Sequence, residues 1–359
     1  MSKIIRLPGL IDPHVHLREP GATQKEDFET GTKAAIAGGY TVVLDMPNNP
    51  IPTISPQALQ EKIDLAKGRI YADVGFHFGA SSKSIKYFTE VFSRVFGLKV
   101  YMNQTTGDLL MEDDQTLEAV FSAWPKDLPA GRQGKPILVH AEGETLQRAI
   151  SLAKKFGSKL HVCHVSLEKE VELIKEAKAN GLNLSCEVSC HHLFLTDEDA
   201  KRLGSFGIMN PPLSSREDQK ALWEGIEDGT IDMIGSDHAP HTKEEKQGGK
   251  PPYGVPGLET TLPLLLTAVS DGKLTIERLI ELTSTNPRKV FGIPEQEDTF
   301  VEVDMEESYV IENQNLQTKC SWTPFAGMQV TGKVKKVILR GKMVYDGKNI
   351  FGPYGRILP

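Results

Sequence analysis

Short apolar, β-rich runs alternate with helix-like segments along most of the 359 residues, and this alternation constrains the fold more than any other feature. The runs end near Asp12, Met46, Gly79, Tyr101, His140, His164, Glu187 and Ser236. Strands separated by helices are joined by crossovers rather than hairpins, so they pair in parallel. Eight such units predict an α/β fold, a closed (β/α)8 barrel of roughly 250 residues, with chain left over. We expect the barrel over residues 9–295 and a small β-subdomain from 1–8 and 296–359. The C-terminal segment supplies most of that subdomain, because Lys333–Val344 alternates apolar and polar residues. Catalytic groups of such barrels sit at the C-terminal ends of the strands, so the polar residue past each run is the informative one.

The first run ends in Gly9-Leu-Ile-Asp-Pro-His-Val-His-Leu-Arg18-Glu-Pro-Gly21. Alternation along a strand puts His14 and His16 on one side, and Arg18 in step with them. After the second run, Pro47-Asn48-Asn49-Pro50 fixes a loop that presents Asn48 as an amide. Lys99 lies within the fourth apolar run, where an ammonium is costly to bury and has no lone pair for a metal. An amine carbamylated by CO₂ instead becomes a bidentate anion; a lysine that snorkels at the rim is the alternative. The polar segment Asn103–Gly107 after it has the character of a lid loop. His140 ends the fifth run. The sixth offers His161 or Cys163 on one face and His164 on the other, and the run's last position favours His164. Asp237 follows the eighth, while His77 falls before its strand end and reads as structural.

His14, His16, Lys99, His140, His164 and Asp237 therefore arrive on one rim. Imidazoles with carboxylates suit Zn²⁺ or a similar first-row cation. Six ligands imply two metals about 3.5–4 Å apart, sharing the modified lysine. A net charge of −7 without a basic stripe argues against nucleic acid. No apolar run reaches the ~20 residues that span a bilayer, and Met1–Arg6 lacks a signal-peptide core, so no membrane partner is expected. Four cysteines (Cys163, Cys186, Cys190, Cys320) fit reduced thiols in a cytoplasm better than a disulfide framework.

Gly9–Gly21, Met46-Pro-Asn48, Gly97-Leu-Lys99, Val139-His-Ala-Glu142, His161-Val-Cys-His164, Cys186-Glu-Val and Gly235-Ser-Asp-His-Ala-Pro-His241 together resemble the amidohydrolase superfamily. Within it they resemble dihydroorotases, above all the dihydroorotase domain of the animal multifunctional pyrimidine-synthesis proteins. The likeness extends through Pro256–Leu266, Thr285–Arg288 and Ser321–Phe325, and so covers nearly the whole chain. It implies that His14, His16, Lys99 and Asp237 hold one zinc and Lys99, His140 and His164 the other, with Lys99 N-carboxylated. It assigns the substrate carboxylate to Arg18, Asn48 and His241, and a lid contact to Thr105. It also implies a third zinc near Cys163, Glu187 and His192, where a buried thiol and a packed histidine are the competing reading. The chain departs from the family in the inserted Ala130–Pro136, in Thr106 for an aromatic residue, and in Asn210 for an arginine.

The resemblance further implies a homodimer and reversible hydrolysis of dihydroorotate to N-carbamoyl-aspartate, with Asp237 as the proton carrier. Two other readings compete. A hydantoinase or allantoinase shares the metal chemistry, but its substrates lack the carboxylate that Arg18 and His241 suit. A non-catalytic barrel acting as a partner of aspartate transcarbamoylase would have lost ligands, and none of the six is missing.

Overall fold

The computed structural model describes residues 3–126 and 134–359; most of the inserted Ala130–Pro136 segment lies outside them. Strand β1 (Ile4–Pro8) precedes the barrel strands β2 (Leu10–Val15), β3 (Tyr40–Asp45), β4 (Asp73–Phe76), β5 (Phe78–Gly79), β6 (Leu98–Tyr101), β7 (Ile137–His140), β8 (Leu160–Val162), β9 (Leu184–Val188) and β10 (Met233–Ile234). These are fully buried and near-continuously apolar, as parallel strands covered on both faces must be. They pair in parallel as a three-stranded sheet, β2-β3-β4, and a six-stranded sheet, β5 through β10 in order.

Two joins make these sheets one barrel. Strands β4 and β5 are one extended run that changes partner at His77, whose N–H donates to Asp45 O at 3.0 Å while Phe78 N donates to Gly97 O at 3.0 Å. Val15 and His238 form a parallel bridge, with His16 N donating to His238 O at 2.8 Å. Beneath it Ser236 N donates to Asp12 Oδ1 at 3.1 Å, so a carboxylate completes the seam. The eight runs of the sequence are thus the eight barrel strands, the third of them broken at His77.

Two helices of the outer layer press closely on the barrel. Helix α1 (Phe28–Ala37) starts at Asp27, whose carboxylate accepts from Thr30 N at 2.9 Å, and buries Ala34, Ala35 and Ile36. It stops at Gly38, where a Cβ would lie 2.2 Å from Leu258 O, so only glycine permits the approach. Helix α2 (Pro56–Ala66) is capped by Ser55, carries Pro56 in its first turn and buries Leu59, Lys62 and Ala66. Inside the barrel Ile11, Val42, Leu44, Leu138 and Met233 pack with Phe291, whose ring lies 5.6 Å from that of His77 and 5.2 Å from that of His161. His77 is buried and its Nε2 lies 3.0 Å from Pro13 O, a bond that braces the chain just before His14.

A separate antiparallel sheet has the order β1-β11-β12-β13, from β11 (Phe300–Val310), β12 (Gln329–Leu339) and β13 (Lys342–Tyr345). The alternating Lys333–Val344 run is a hairpin within it. Arg340 and Gly341 turn the chain with φ of 51° and 72°, the pair of positive values that matches strand twist. The end of the chain returns to the barrel, where Leu358 N donates to Val74 O at 2.8 Å. Among the described residues no helix is long and apolar enough to cross a membrane.

Candidate metal centre and anion pocket

At the C-terminal ends of the strands the structure collects buried histidines and carboxylates. His14 and His16 have ring centroids 5.4 Å apart, and His164 lies 5.4 Å from His14 on the other side. Asp237 Oδ1 is 3.2 Å from His16 Nε2 and 3.4 Å from His14 Nε2, so these three residues bring one ligand atom each to a common point. His140 Nδ1 and His164 Nε2 face each other at 2.9 Å. Lys99 is completely buried, with Nζ 2.8 Å from Cys163 Sγ and 5.2 Å from the Tyr101 ring. The six residues read from the sequence as ligands of the paired metals are therefore at this rim.

The backbone bends to place them. Arg18, His164 and Asp237 have φ of 62°, 35° and 46°, the left-handed region that side chains other than glycine rarely adopt. Half of the six such residues described in the chain are in this site. Strain of this kind persists only where the surroundings impose it, and it gathers at functional positions. It also corrects the sequence expectation for Arg18: the strand ends at Val15, and a left-handed turn, not alternation, aims the guanidinium.

The electrostatics suit cations. Burial pushes His16 down to about 3 against the pull of Asp237. Burial, with His140 beside it, holds His164 well below the usual range, and burial lowers His140 too. These imidazoles are neutral at physiological pH, the form with a free lone pair. His14 behaves oppositely: burial would lower it, but the Glu187 carboxylate against its Nδ1 carries it up to about 10. Burial would raise Asp237 and Glu187, yet their histidine partners keep both well below the ordinary carboxylate range. His164 Nδ1 is buried without a partner among the described residues. Neutral imidazoles, buried carboxylates and an unpaired ring nitrogen form a donor set that fits first-row divalent cations.

A second group of potential ligands is His14, Cys163 and Glu187. This corrects the set of Cys163, Glu187 and His192. Strand β9 ends at Val188 and the helix Cys190–Phe194 carries His192 away, so that its Nε2 lies 3.2 Å from Pro211 O. Glu187 also lies 3.1 Å from His161 Nε2, and a Cβ on Gly235 would come within 2.7 Å of its carboxylate. The glycine therefore makes room for this buried acid.

The candidate anion pocket adjoins the candidate metal centre. Arg18 Nε donates to Pro240 O at 3.1 Å, and Nη2 lies 3.1 Å from His241 Nε2. Among the described residues no carboxylate lies within ion-pair distance of this buried guanidinium. Asn48 Oδ1 lies 2.8 Å from His16 Nδ1 and its amide donates to Thr106 O at 2.9 Å. His241 has Tyr253 O 2.8 Å from Nε2 and Lys25 Nζ 3.1 Å from Nδ1, an arrangement that fits the tautomer protonated on Nε2. Lys25, itself paired with Glu245 at 3.3 Å, braces His241 from behind, which the sequence reading missed because Lys25 lies in the turn before α1, away from any strand end. Thr105 is half-buried in the loop above. Asn210 reaches the same loop, donating to Gln104 O at 2.5 Å with its amide 3.4 Å from His140 Nε2.

Comparison with known proteins matches residues 5–344 to the amidohydrolase family. The chain is 46% identical over 360 residues to the multifunctional protein CAD of Squalus acanthias, covering 99% of this chain but 16% of that protein. With the multifunctional protein pyr1-3 of Dictyostelium discoideum it shares 45%, over 97% of this chain and 15% of the other, so it spans less than a fifth of either. It is 38% identical to the dihydroorotase of Pyrococcus furiosus, covering 98% of this chain and 84% of that one. Among solved structures, an L-hydantoinase (dihydropyrimidinase) from Arthrobacter aurescens superposes with a TM-score of 0.92 at 28% identity, over 99% of this chain and 88% of that one. An inactive dihydroorotase-like domain of a Chaetomium thermophilum CAD-like protein gives 0.83 at 27%, over 99% and 100%. With the barrel, the histidines and carboxylate gathered at its strand ends and these matches together, the chain belongs to the amidohydrolase family, among the dihydroorotases.

Proposed function

We propose that this protein is a cyclic amide hydrolase that interconverts dihydroorotate and N-carbamoyl-aspartate in pyrimidine biosynthesis. The observation that carries the reading is Arg18: a buried guanidinium without a carboxylate partner, beside a cluster of metal-type ligands. A planar fork of N–H donors is shaped for a carboxylate, and dihydroorotate brings one into the site.

His14, His16 and Asp237 would hold one zinc and His140 and His164 a second, with an N-carboxylated Lys99 between them. Lys99 supports this by being fully buried in a strand, where an ammonium has no lone pair to offer a metal and a carbamate would have one. Cations bound there supply Lewis-acid polarisation of an amide carbonyl and lower the pKa of water. Asp237 is ionised at neutral pH, so its carboxylate accepts the proton of the attacking water and delivers it to the ring nitrogen that leaves. Arg18, with Asn48 and His241, grips the substrate carboxylate and orients the ring amide towards Asp237. The loop bearing Thr105 covers the substrate and excludes bulk water. The four cysteines are buried and unpaired, which supports a reducing, cytoplasmic setting. The likeness to a segment of two multifunctional proteins supports association with a neighbouring enzyme such as aspartate transcarbamoylase.

The structural likeness to hydantoinases makes hydantoin hydrolysis the second reading. Elemental analysis paired with turnover on both substrates separates them. About two zincs per chain are expected, with kcat/KM for dihydroorotate exceeding that for hydantoin by about 10² or more. Preference for hydantoin would overturn the carboxylate assignment. Absence of turnover after supply of zinc and bicarbonate would make the chain a non-catalytic barrel.

A further inference from the structure

Below the anion pocket, on the buried side of α2, lies an ion pair that neither the metal centre nor the pocket uses directly. Lys62 and Asp45 are both completely inaccessible, with Lys62 Nζ 2.6 Å from Asp45 Oδ2. The same ammonium donates to Met46 O at 2.8 Å and to Asn49 Oδ1 at 2.6 Å. Asn48 stands between those two acceptors, so the backbone that presents its amide is held on both sides. The other oxygen of Asp45 accepts from Leu17 N at 2.8 Å. Leu17 immediately precedes Arg18, whose left-handed φ of 62° needs neighbours that impose it.

One buried cation therefore ties together the two chain segments that carry Arg18 and Asn48. Burying such a pair is costly: burial lowers Lys62 and raises Asp45, each opposed by the other's charge. A buried pair contributes little net stability compared with apolar residues of similar volume, so stability is a poor account of why it is here. Fixed geometry is a better one, because an ion pair and two directed hydrogen bonds made by one ammonium allow few arrangements. We propose that Lys62 is a positioning residue for substrate binding. It sets the spacing of Arg18 and Asn48, and through it the affinity for the substrate carboxylate. The assignment rests on reading Arg18 and Asn48 as that carboxylate's clamp.

The test compares Lys62→Met with Asp45→Asn/Lys62→Met, measuring kcat and KM for dihydroorotate, thermal midpoint and zinc per chain. The single variant leaves a bare carboxylate in the core and is expected to lose stability or fail to fold. The double variant removes both charges and recovers stability, while the amide at position 45 still accepts from Leu17. It does not restore the bonds to Met46 and Asn49. Positioning predicts that KM stays raised in the double variant by about tenfold or more, with kcat within about threefold and zinc unchanged. A KM that returns to the wild-type value with the thermal midpoint would show a purely structural role and overturn the proposal. So would a loss of kcat or zinc at unchanged KM. Failure of the wild-type protein to turn over dihydroorotate is a different result: it removes the proposed function, and this assignment with it, before any variant is made.

Discussion

On the proposed function, specificity turns on Arg18, since a buried guanidinium must find an anion and among the described residues only the carbonyl of Pro240 accepts from it. Removing it would leave the substrate carboxylate buried and unpaired. Arg18→Ala is therefore expected to raise KM for dihydroorotate by about 10² or more, with a smaller effect on kcat, in steady-state assays. A second residue gives a prediction about pH. Lys159 is half-buried just before β8, its ammonium resting on Val290 O, and burial pushes it down to about 8. The unfolded chain keeps this proton to about 10.5, so between those values the unfolded state binds more protons and this group makes stability rise with pH. Below about 8 both states are charged and the burial cost is felt in full. Lys159→Met should stabilise the protein by about 1 kcal/mol at neutral pH, after allowance for solvent screening, and by less near pH 10. Urea unfolding at the two pH values measures both. Residues such as Arg18 and Asp237 were legible because they stand beside strand ends. Lys25 and Lys62 were not, because a lysine in a turn or on a helix looks solvent-exposed until the fold closes over it.

The elements show the same division. Alternating strands and helices made the eight strand ends readable to within a few residues, since burial on both faces leaves a continuous apolar run. The break of the third strand at His77 and the Val15–His238 bridge were not readable, because both depend on which neighbour offers a backbone partner. The loop Asn103–Gly107 was legible as a polar, small-residue segment, but not what holds it. In the structure it is pinned by backbone carbonyls: Asn210 grips Gln104 O and Asn48 grips Thr106 O, with Thr106 Oγ1 3.4 Å from Tyr253 O. Contacts to carbonyls carry no side-chain signature, and the small Thr106 becomes intelligible because its backbone makes the contact. Asn210→Ala removes one such bond, about 1 kcal/mol, and should speed amide exchange across the loop about fivefold while exchange in β6 is unchanged. Equal rates in variant and wild type would mean that Asn210 does not hold the loop.

At the scale of the molecule, the barrel and the antiparallel sheet have to be held in one arrangement, and Asp73 does much of this from the start of β4. Its Oδ2 accepts from Arg340 Nη1, in the β12–β13 turn, and from Gln296 Nε2, each at 2.6 Å. Its Oδ1 accepts from Arg356 N at 2.7 Å, just before the tail rejoins the barrel beside Val74. One carboxylate, 2% exposed, thus receives bonds from three segments that lie far apart in the sequence. Sequence patterns could suggest the sheet but not this junction, which links residues more than 200 positions apart. Asp73→Ala leaves an arginine and two N–H donors without their acceptor and should cost about 3 kcal/mol in denaturant unfolding. Asp73→Asn keeps one acceptor oxygen and should cost less. Asp73 begins its strand, whereas the ligands stand where strands end, so kcat and KM well below the unfolding transition should match the wild type for both variants. Impaired kinetics at full folding would instead mean that the antiparallel sheet and the metal centre are mechanically coupled through β4.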